Sequence, residues 1–353
     1  MHKHLHPNSP VRIFSFSFIA TLAILAGVLF GIGPGALVVT AILAAVELTF
    51  SFDNAIINAK VLQKVSKGWQ VVFLSAGIIV AIFGMRVLFP IVIVSLTAHL
   101  SWSQVLNLAL HHPNEYAHHL ELAHPTISAF GGAFLLMLAL HFFFDDERKV
   151  HWIGSVEKRL QKLSHWSGAP LVSAGVVAIV ALLPANDHVH KTLVAGALGI
   201  LTYAAVQLLV HTLERGQEKR GIVGKQVGWA AFTTLIYLEI LDASFSFDGV
   251  IGAFAITSDV VLIAAGLGIG ALWVRSLTVY MVRRRTLGQF IYLEHGAHYT
   301  VLALALVLLV SIVVNISDFV PGIMGVVIIG ASVISSAQER RGRLARQRDT
   351  DHF

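Results

Sequence analysis

The chain has 353 residues, of which 56% are hydrophobic and 13% are charged, and its mean hydropathy is +0.75. Soluble domains carry about 25% charged residues, so this composition excludes an ordinary soluble protein and predicts an integral membrane protein. The net charge is +5, but the basic residues lie between apolar segments, which favours a role in membrane topology over nucleic-acid binding. Without any cysteine, the chain has neither disulfides nor thiolate metal sites.

Ten apolar segments are predicted to cross the membrane as helices, which makes the fold an all-α polytopic membrane protein. The first segment has no clean cleavage site after it, so we predict a retained helix rather than a signal peptide. The predicted spans are 12–30, 35–59, 69–96, 126–144, 169–184, 192–211, 227–256, 259–282, 297–316 and 319–337.

The positions of lysine and arginine agree with ten spans. If the N-terminus is cytoplasmic, the cytoplasmic loops and the two termini contain 22 of the 25 lysines and arginines. The other three are Arg86, Lys191 and Arg275. Cytoplasmic loops are enriched in these residue types, so we expect both termini on the cytoplasmic side of a bacterial inner (plasma) membrane.

Two short stretches of the sequence repeat each other. Residues 47–54 read ELTFSFDN and residues 242–249 read DASFSFDG, and the following spans align with Arg86 in register with Arg275. We predict a repeat unit of three spans. Because the two copies begin five spans apart, they enter the membrane from opposite sides, as the inverted repeats of many secondary transporters do.

The repeats divide the chain into five predicted regions. Residues 1–34 contain a cytoplasmic N-terminus and an extra first helix, and residues 35–145 form repeat 1. A linker with two connecting helices covers 146–226, repeat 2 covers 227–316, and residues 317–353 form the last helix and a basic cytoplasmic tail.

Repeat 1 includes a predicted outer loop at 97–125, which contains six histidines and no lysine or arginine. The histidines show no fixed ligand spacing, so both a transition-metal role and a polar cap stay open. Part of this loop is predicted to form a short helix on the membrane surface.

The two motifs place four acidic residues inside apolar segments: Glu47 and Asp53 in the first, Asp242 and Asp248 in the second. An aspartate at the centre of a membrane helix costs about 2.5–3.5 kcal/mol on insertion scales, so the four acids need compensating partners. On a regular helix Glu47 and Asp53 point about 120° apart. Either each helix directs its acids to two sides, or it loosens near Ser-Phe-Asp so that they converge on a cavity.

A bound cation would compensate these acids, and we predict one cation site formed by both motifs. Oxygen ligands suit manganese, magnesium and calcium. Two alternatives stay open, namely static ion pairs with Arg86 and Arg275 and a relay that carries only protons. The predicted metal ligands are Glu47, Asp53, Asn54, Asp242 and Asp248.

The motifs resemble those of the TerC-type integral membrane proteins, within the LysE-like transporter superfamily. The resemblance covers about 35–335 and is carried by Glu47 with Ser51-Phe52-Asp53-Asn54 and by Asp242 with Phe247-Asp248-Gly249. It implies a protein that exports a metal cation, with manganese as the expected substrate. Gly249 departs from the family pattern, in which a serine is expected at this position.

We therefore expect a secondary transporter and not an enzyme, with no catalytic residues and no tightly bound cofactor other than the transported divalent cation. The expected partners are that ion and the lipid bilayer; no nucleic acid is expected, and a homo-oligomer is left open. One alternative is an intramembrane aspartyl protease, in which two membrane aspartates act as acid and base. Another is a non-transporting membrane partner of stress-response proteins.

Overall fold

Helices form almost the whole of the described structure. The computed structural model describes residues 10–162, 168–219, 224–257, 259–284, 289–317 and 319–350; it is about 86% helical and has no strand within these ranges. The helices are α1 (Pro10–Gly31), α2 (Pro34–Phe50), α3 (Phe52–Leu62), α4 (Lys67–Ile79), a π-helix (Val80–Leu88), α5 (Phe89–Ala98), α6 (Trp102–His111), α7 (Pro113–Phe144), α8 (Gly154–Gln161), α9 (Gly168–Leu182), α10 (Val189–Lys219), α11 (Gly228–Ile256), α12 (Val260–Arg284), α13 (Leu293–Ser311) and α14 (Phe319–Thr350).

Seven of the described helices are long and apolar enough to cross a membrane, and there are eight if the bent pair α2 and α3 counts as one span. The prediction of an all-α membrane protein is therefore confirmed. The short helix α9 has 15 residues, and α11 has 29 residues but carries Glu239 and Asp242 near its middle. These two helices are not among the seven, so the number of ten spans stays a prediction.

The segment predicted as an outer loop is mostly helical. Residues 102–111 form α6, whose N-terminus is closed by a capping box between Ser101 and Gln104, and this confirms the predicted short helix. The next helix, α7, begins at Pro113, so the prediction that it begins at residue 126 is wrong. Pro125 lies inside α7, where packing offsets the one backbone hydrogen bond that a proline removes.

The core of the bundle surrounds α7. The C-terminal half of this helix is almost entirely buried and packs against α10 and α13. Gly132 lets α13 approach closely, because an added Cβ would lie 3.2 Å from the carbonyl oxygen of Ala305. Small residues at such crossings are how membrane helices reach close contact in the absence of water.

A second close crossing, between α2 and α12, positions Glu47. A Cβ on Gly266 would lie 2.5 Å from the Cβ of Leu43, and a Cβ on Gly270 would lie 2.5 Å from the Cβ of Glu47. Only glycine at these two positions allows the backbones to come this near. The side chain of Glu47 is thus held against α12.

The helices that carry the two motifs run in opposite directions past each other. Asn54 bonds to Asp242, and farther along the backbone N–H of Ser66 donates to the carbonyl of Gln226 at 3.0 Å. Residue numbers therefore rise along α3 as they fall along α11. This is the relation expected for two motif copies of opposite orientation, while the inverted repeat of three helices stays a prediction.

Gly270→Ala is expected to lower the thermal stability of the detergent-solubilised protein, because the added methyl group pushes α2 and α12 apart. Overpacking of this kind costs about 1–3 kcal/mol. Gly330→Ala on α14 is the matched control, since nothing lies within 4 Å of an added Cβ there. It should leave stability unchanged or raise it by up to about 1 kcal/mol. Thermal unfolding followed by circular dichroism measures both, and equal midpoints would contradict the close crossing.

Candidate functional site

The first motif lies at a break between two helices. The helix α2 ends at Phe50, α3 begins at Phe52, and the two axes are bent by 51°. At the break the backbone N–H of Ser51 donates to the carbonyl of Glu47 at 2.9 Å, and its hydroxyl donates to Glu47 Oε1 at 3.1 Å. Of the two arrangements that the sequence left open, the first motif therefore has the loosened helix near Ser-Phe-Asp. The second motif differs, because α11 continues unbroken through it.

The break lets Glu47 and Asp53 face one cavity of about 60 Å³, which we call the acidic cavity. The two side chains are only 4% and 2% exposed, and Asp53 Oδ1 has no hydrogen-bond partner in the described structure. Asp53 lies in the first turn of α3, where the helix dipole favours a negative charge. Much of the remaining lining is apolar, so a cation in this cavity would find its charge balance in these two acids.

Arg86 lies on the other side of Glu47 and brings the acids of both motifs together. Its Nη2 bonds to Glu47 Oε1, and its Nη1 lies 4.0 Å from Asp242 Oδ2. The same Nη1 donates to the carbonyl of Ala81 at 2.5 Å. Asn54 Nδ2 donates to Asp242 Oδ1 at 2.6 Å, so residues from α2, α3, α11 and the π-helix form one buried network.

The described charges of this cluster do not balance. When ionised, Glu47, Asp53 and Asp242 carry three negative charges and Arg86 carries one positive charge, which leaves an excess of two. Arg86 Nε and Asp242 Oδ2 also lack hydrogen-bond partners among the described atoms. The static ion-pair alternative therefore accounts for Glu47, but a single guanidinium cannot neutralise all three acids.

Arg275, which aligns with Arg86 in the sequence, neutralises a different acid. Its Nη2 donates to Glu239 Oε1 at 3.0 Å, its Nη1 donates to the carbonyl of Phe73 at 3.1 Å, and the guanidinium lies 3.9 Å from the centre of the Phe73 ring. Gly77 makes room for this pair, since an added Cβ would lie 2.5 Å from Arg275 Nη1. Glu239 precedes Asp242 by three residues, so the two arginines do not occupy equivalent places.

The structure brings together part of the predicted ligand set. Glu47 and Asp53 line the acidic cavity, whereas Asn54 and Asp242 bond to each other beside Arg86 and are not part of its lining. The side chain of Asp248 lies outside the described residues, so the complete set of five ligands stays a prediction. Within the described ranges, no group of three or more histidine or acidic side chains is placed to hold one metal, and this includes the described histidines of 97–125.

Several residues that line the acidic cavity were not predicted from the sequence. Thr300 on α13 and Pro321 on α14 line it, and a single threonine or proline in an apolar segment carries no signal of that role. Gly249 did give a signal, as the departure from an expected serine. A Cβ at this position would lie 3.1 Å from Glu47 Oε2, so the glycine leaves room beside the carboxylate.

A larger cavity of about 610 Å³ opens at the other end of α3. Lys60 Nζ and Glu294 Oε2 form an ion pair at 2.8 Å there, and Arg148 Nη1 lies 3.7 Å from Glu294 Oε1. Between the two cavities Asn58 is buried, and its Oδ1 has no partner in the part of the chain that the structure describes. The helix α3 therefore begins at the acidic cavity and ends at a charged vestibule.

Comparison with known proteins identifies one family. The family model described as "Protein of unknown function (DUF475)" matches residues 52–343, which includes Asp53 and the whole second motif. No curated protein and no solved structure matches the chain.

Arg86→Gln is expected to destabilise the detergent-solubilised protein by about 3–5 kcal/mol in metal-free buffer, because it leaves buried carboxylates without their cation. Lys60→Gln removes a cation from a partly exposed pair, with side chains 46% and 22% exposed, and should cost at most about 1 kcal/mol. Thermal unfolding of both variants tests this difference. A loss for Arg86→Gln no larger than that for Lys60→Gln would contradict the assigned buried network.

Proposed function

The chain belongs to the DUF475 family, whose description assigns no function, and we propose from the buried site that it is a membrane transporter for a divalent cation. The observation that carries the proposal is the acidic cavity, where Glu47 and Asp53 meet and Asp53 keeps an unpartnered oxygen inside a bundle of apolar helices. An unpaired buried carboxylate is costly, and a cation bound beside it removes that cost.

Charge and ligand chemistry both favour a divalent ion. The described cluster has an excess of two negative charges when its acids are ionised, and one divalent cation would neutralise it. Carboxylate and hydroxyl oxygens, here from Glu47, Asp53, Ser51 and Thr300, suit manganese, magnesium and calcium. We propose manganese as the substrate and export as the direction, in line with the resemblance of the two motifs to those of TerC-type proteins.

The helix geometry supplies a route. Secondary transporters bind ions where helices are interrupted near the middle of the membrane, and irregular backbone at that depth is tolerated where it lines a cavity. The interrupted pair α2 and α3 combines a helix break with the acidic cavity, which supports this proposal, and in the proposed route the ion passes along α3 past Asn54 and Asn58 toward the vestibule. Opening of the Lys60–Glu294 ion pair between α3 and α13 would then connect the acidic cavity with the cytoplasmic side.

The contact between Arg86 and Glu47 favours a second candidate, a membrane protein in which the acids are permanently neutralised and no ion passes. This second candidate does not explain the acidic cavity or the unpartnered oxygen of Asp53. For this reason we prefer the transporter. No observation among the described residues favours the intramembrane protease, which needs two aspartates facing each other.

Asp53→Asn is expected to reduce manganese flux in proteoliposomes by at least about tenfold, because the amide keeps the shape of the side chain but removes the negative charge that binds the ion. The purified protein is reconstituted in liposomes that contain a manganese-quenched fluorophore, and the initial rate of quenching is recorded with and without a proton gradient.

Asp187→Asn is the matched control, since Asp187 is exposed in a loop away from the acidic cavity, and it should keep the flux of the unmodified protein. Manganese quenching no faster than in protein-free liposomes, together with no uptake of magnesium or calcium followed with indicators for those ions, would refute transport and favour the non-transporting candidate. Proton flux without metal flux would favour the relay.

A further inference from the structure

Arg86 contacts Glu47 on the side of the carboxylate that points away from the acidic cavity. It bonds to Oε1 of that carboxylate, whereas Oε2 faces Gly249, which lines the cavity. Arg86 itself is not part of the lining. An ion in the acidic cavity would therefore share Glu47 with Arg86 and would not touch the guanidinium.

The backbone fixes the guanidinium at this place. Arg86 belongs to the π-helix Val80–Leu88, which has nine residues. Such turns are rare in proteins, and those that occur are often found at functional sites. Pro90 follows this segment, and in an α-helix its ring would clash with the carbonyl of Arg86, four residues earlier. The hydrogen bond from Arg86 Nη1 to the carbonyl of Ala81 then holds the side chain to its own helix.

Arg86 sets the total charge around the acidic cavity. With the three described acids ionised, the cluster carries an excess of two negative charges with Arg86 and three without it. Asp242 lies 4.0 Å from Arg86 and outside the cavity lining, so it too acts on a bound ion through charge and not through contact.

We propose that Arg86 is the residue that determines charge selectivity at the acidic cavity: it matches the site to divalent ions and keeps their affinity low enough for release. The inference rests on the proposed cation transport. Its physical basis is that the repulsion between Arg86 and a bound ion is proportional to the charge of the ion. Removal of the guanidinium charge should therefore favour every cation, and trivalent ions more than divalent ones.

The test is equilibrium binding of manganese and of terbium(III) to the purified protein, with terbium followed by its luminescence. For Arg86→Gln we expect manganese to bind about tenfold more tightly and terbium about thirtyfold more tightly, since the logarithm of the change scales with ion charge as 2:3. Arg86→Lys keeps the positive charge, so this variant should bind both ions with the affinities of the unmodified protein. A merely structural role would weaken binding of both ions and would not produce this ratio.

Arg275→Gln is the matched control, because it also removes a buried, ion-paired arginine but one that contacts Glu239 and Phe73. It should change both affinities much less than Arg86→Gln does, because its charge is paired with Glu239 and not with Glu47. Arg86→Gln with unchanged or lower affinities, or with equal gains for the two ions, overturns the inference while transport stands. If neither the unmodified protein nor any variant binds either ion, the proposed function fails and the inference with it.

If Arg86→Gln gives no folded protein, Asp242→Asn provides a second test of charge selectivity. This variant keeps the shape of the side chain and removes one negative charge of the same cluster. Weaker binding, with a larger loss for terbium than for manganese in the same 2:3 ratio of logarithms, supports the inference. Unchanged affinities for both ions overturn it.

Discussion

A carboxylate buried among apolar helices has to be compensated, and the described acids of this protein meet that requirement in different ways. Glu239 has a guanidinium of its own, in Arg275. Glu47 shares Arg86 with an acid of the other motif. Asp53 has only the first turn of α3 and a small cavity. The acid with the least compensation therefore faces the acidic cavity, which it shares with Glu47, and this is where the proposed cation would bind.

The two motifs have different structures around this constraint. The first is carried by an interrupted pair of helices and the second by the continuous α11, although both contain Phe-Ser-Phe-Asp. Their arginines also differ, since Arg86 reaches across both copies whereas Arg275 stays with Glu239 and Phe73. Sequence similarity between the two motifs thus does not carry over to similar contacts, and the interruption near Ser51 places the acidic cavity at the first motif.

Close helix crossings and the π-helix hold Glu47 and Arg86 in fixed positions. The glycines of α12 hold the backbone of α2 at Glu47, and the π-helix with Pro90 holds Arg86. The glycines cannot be replaced by larger residues without movement of a helix. Under the proposed function, the motion that admits an ion is expected at the vestibule, where Lys60 and Glu294 form a partly exposed pair. Partly exposed pairs are weak and open at little cost.

The sequence alone determined the helical membrane architecture, the repeated acidic motifs and the short helix α6, whereas it left open whether the helix loosens near Ser51. These properties depend on local hydropathy, on residue type and on near neighbours along the chain. It did not determine that α7 begins at Pro113, that Thr300 lines the acidic cavity, or that Arg275 binds Glu239. Those features depend on which faces of distant helices meet, and crossings such as the one at Gly270 set the distances on which ion pairs and cavities depend.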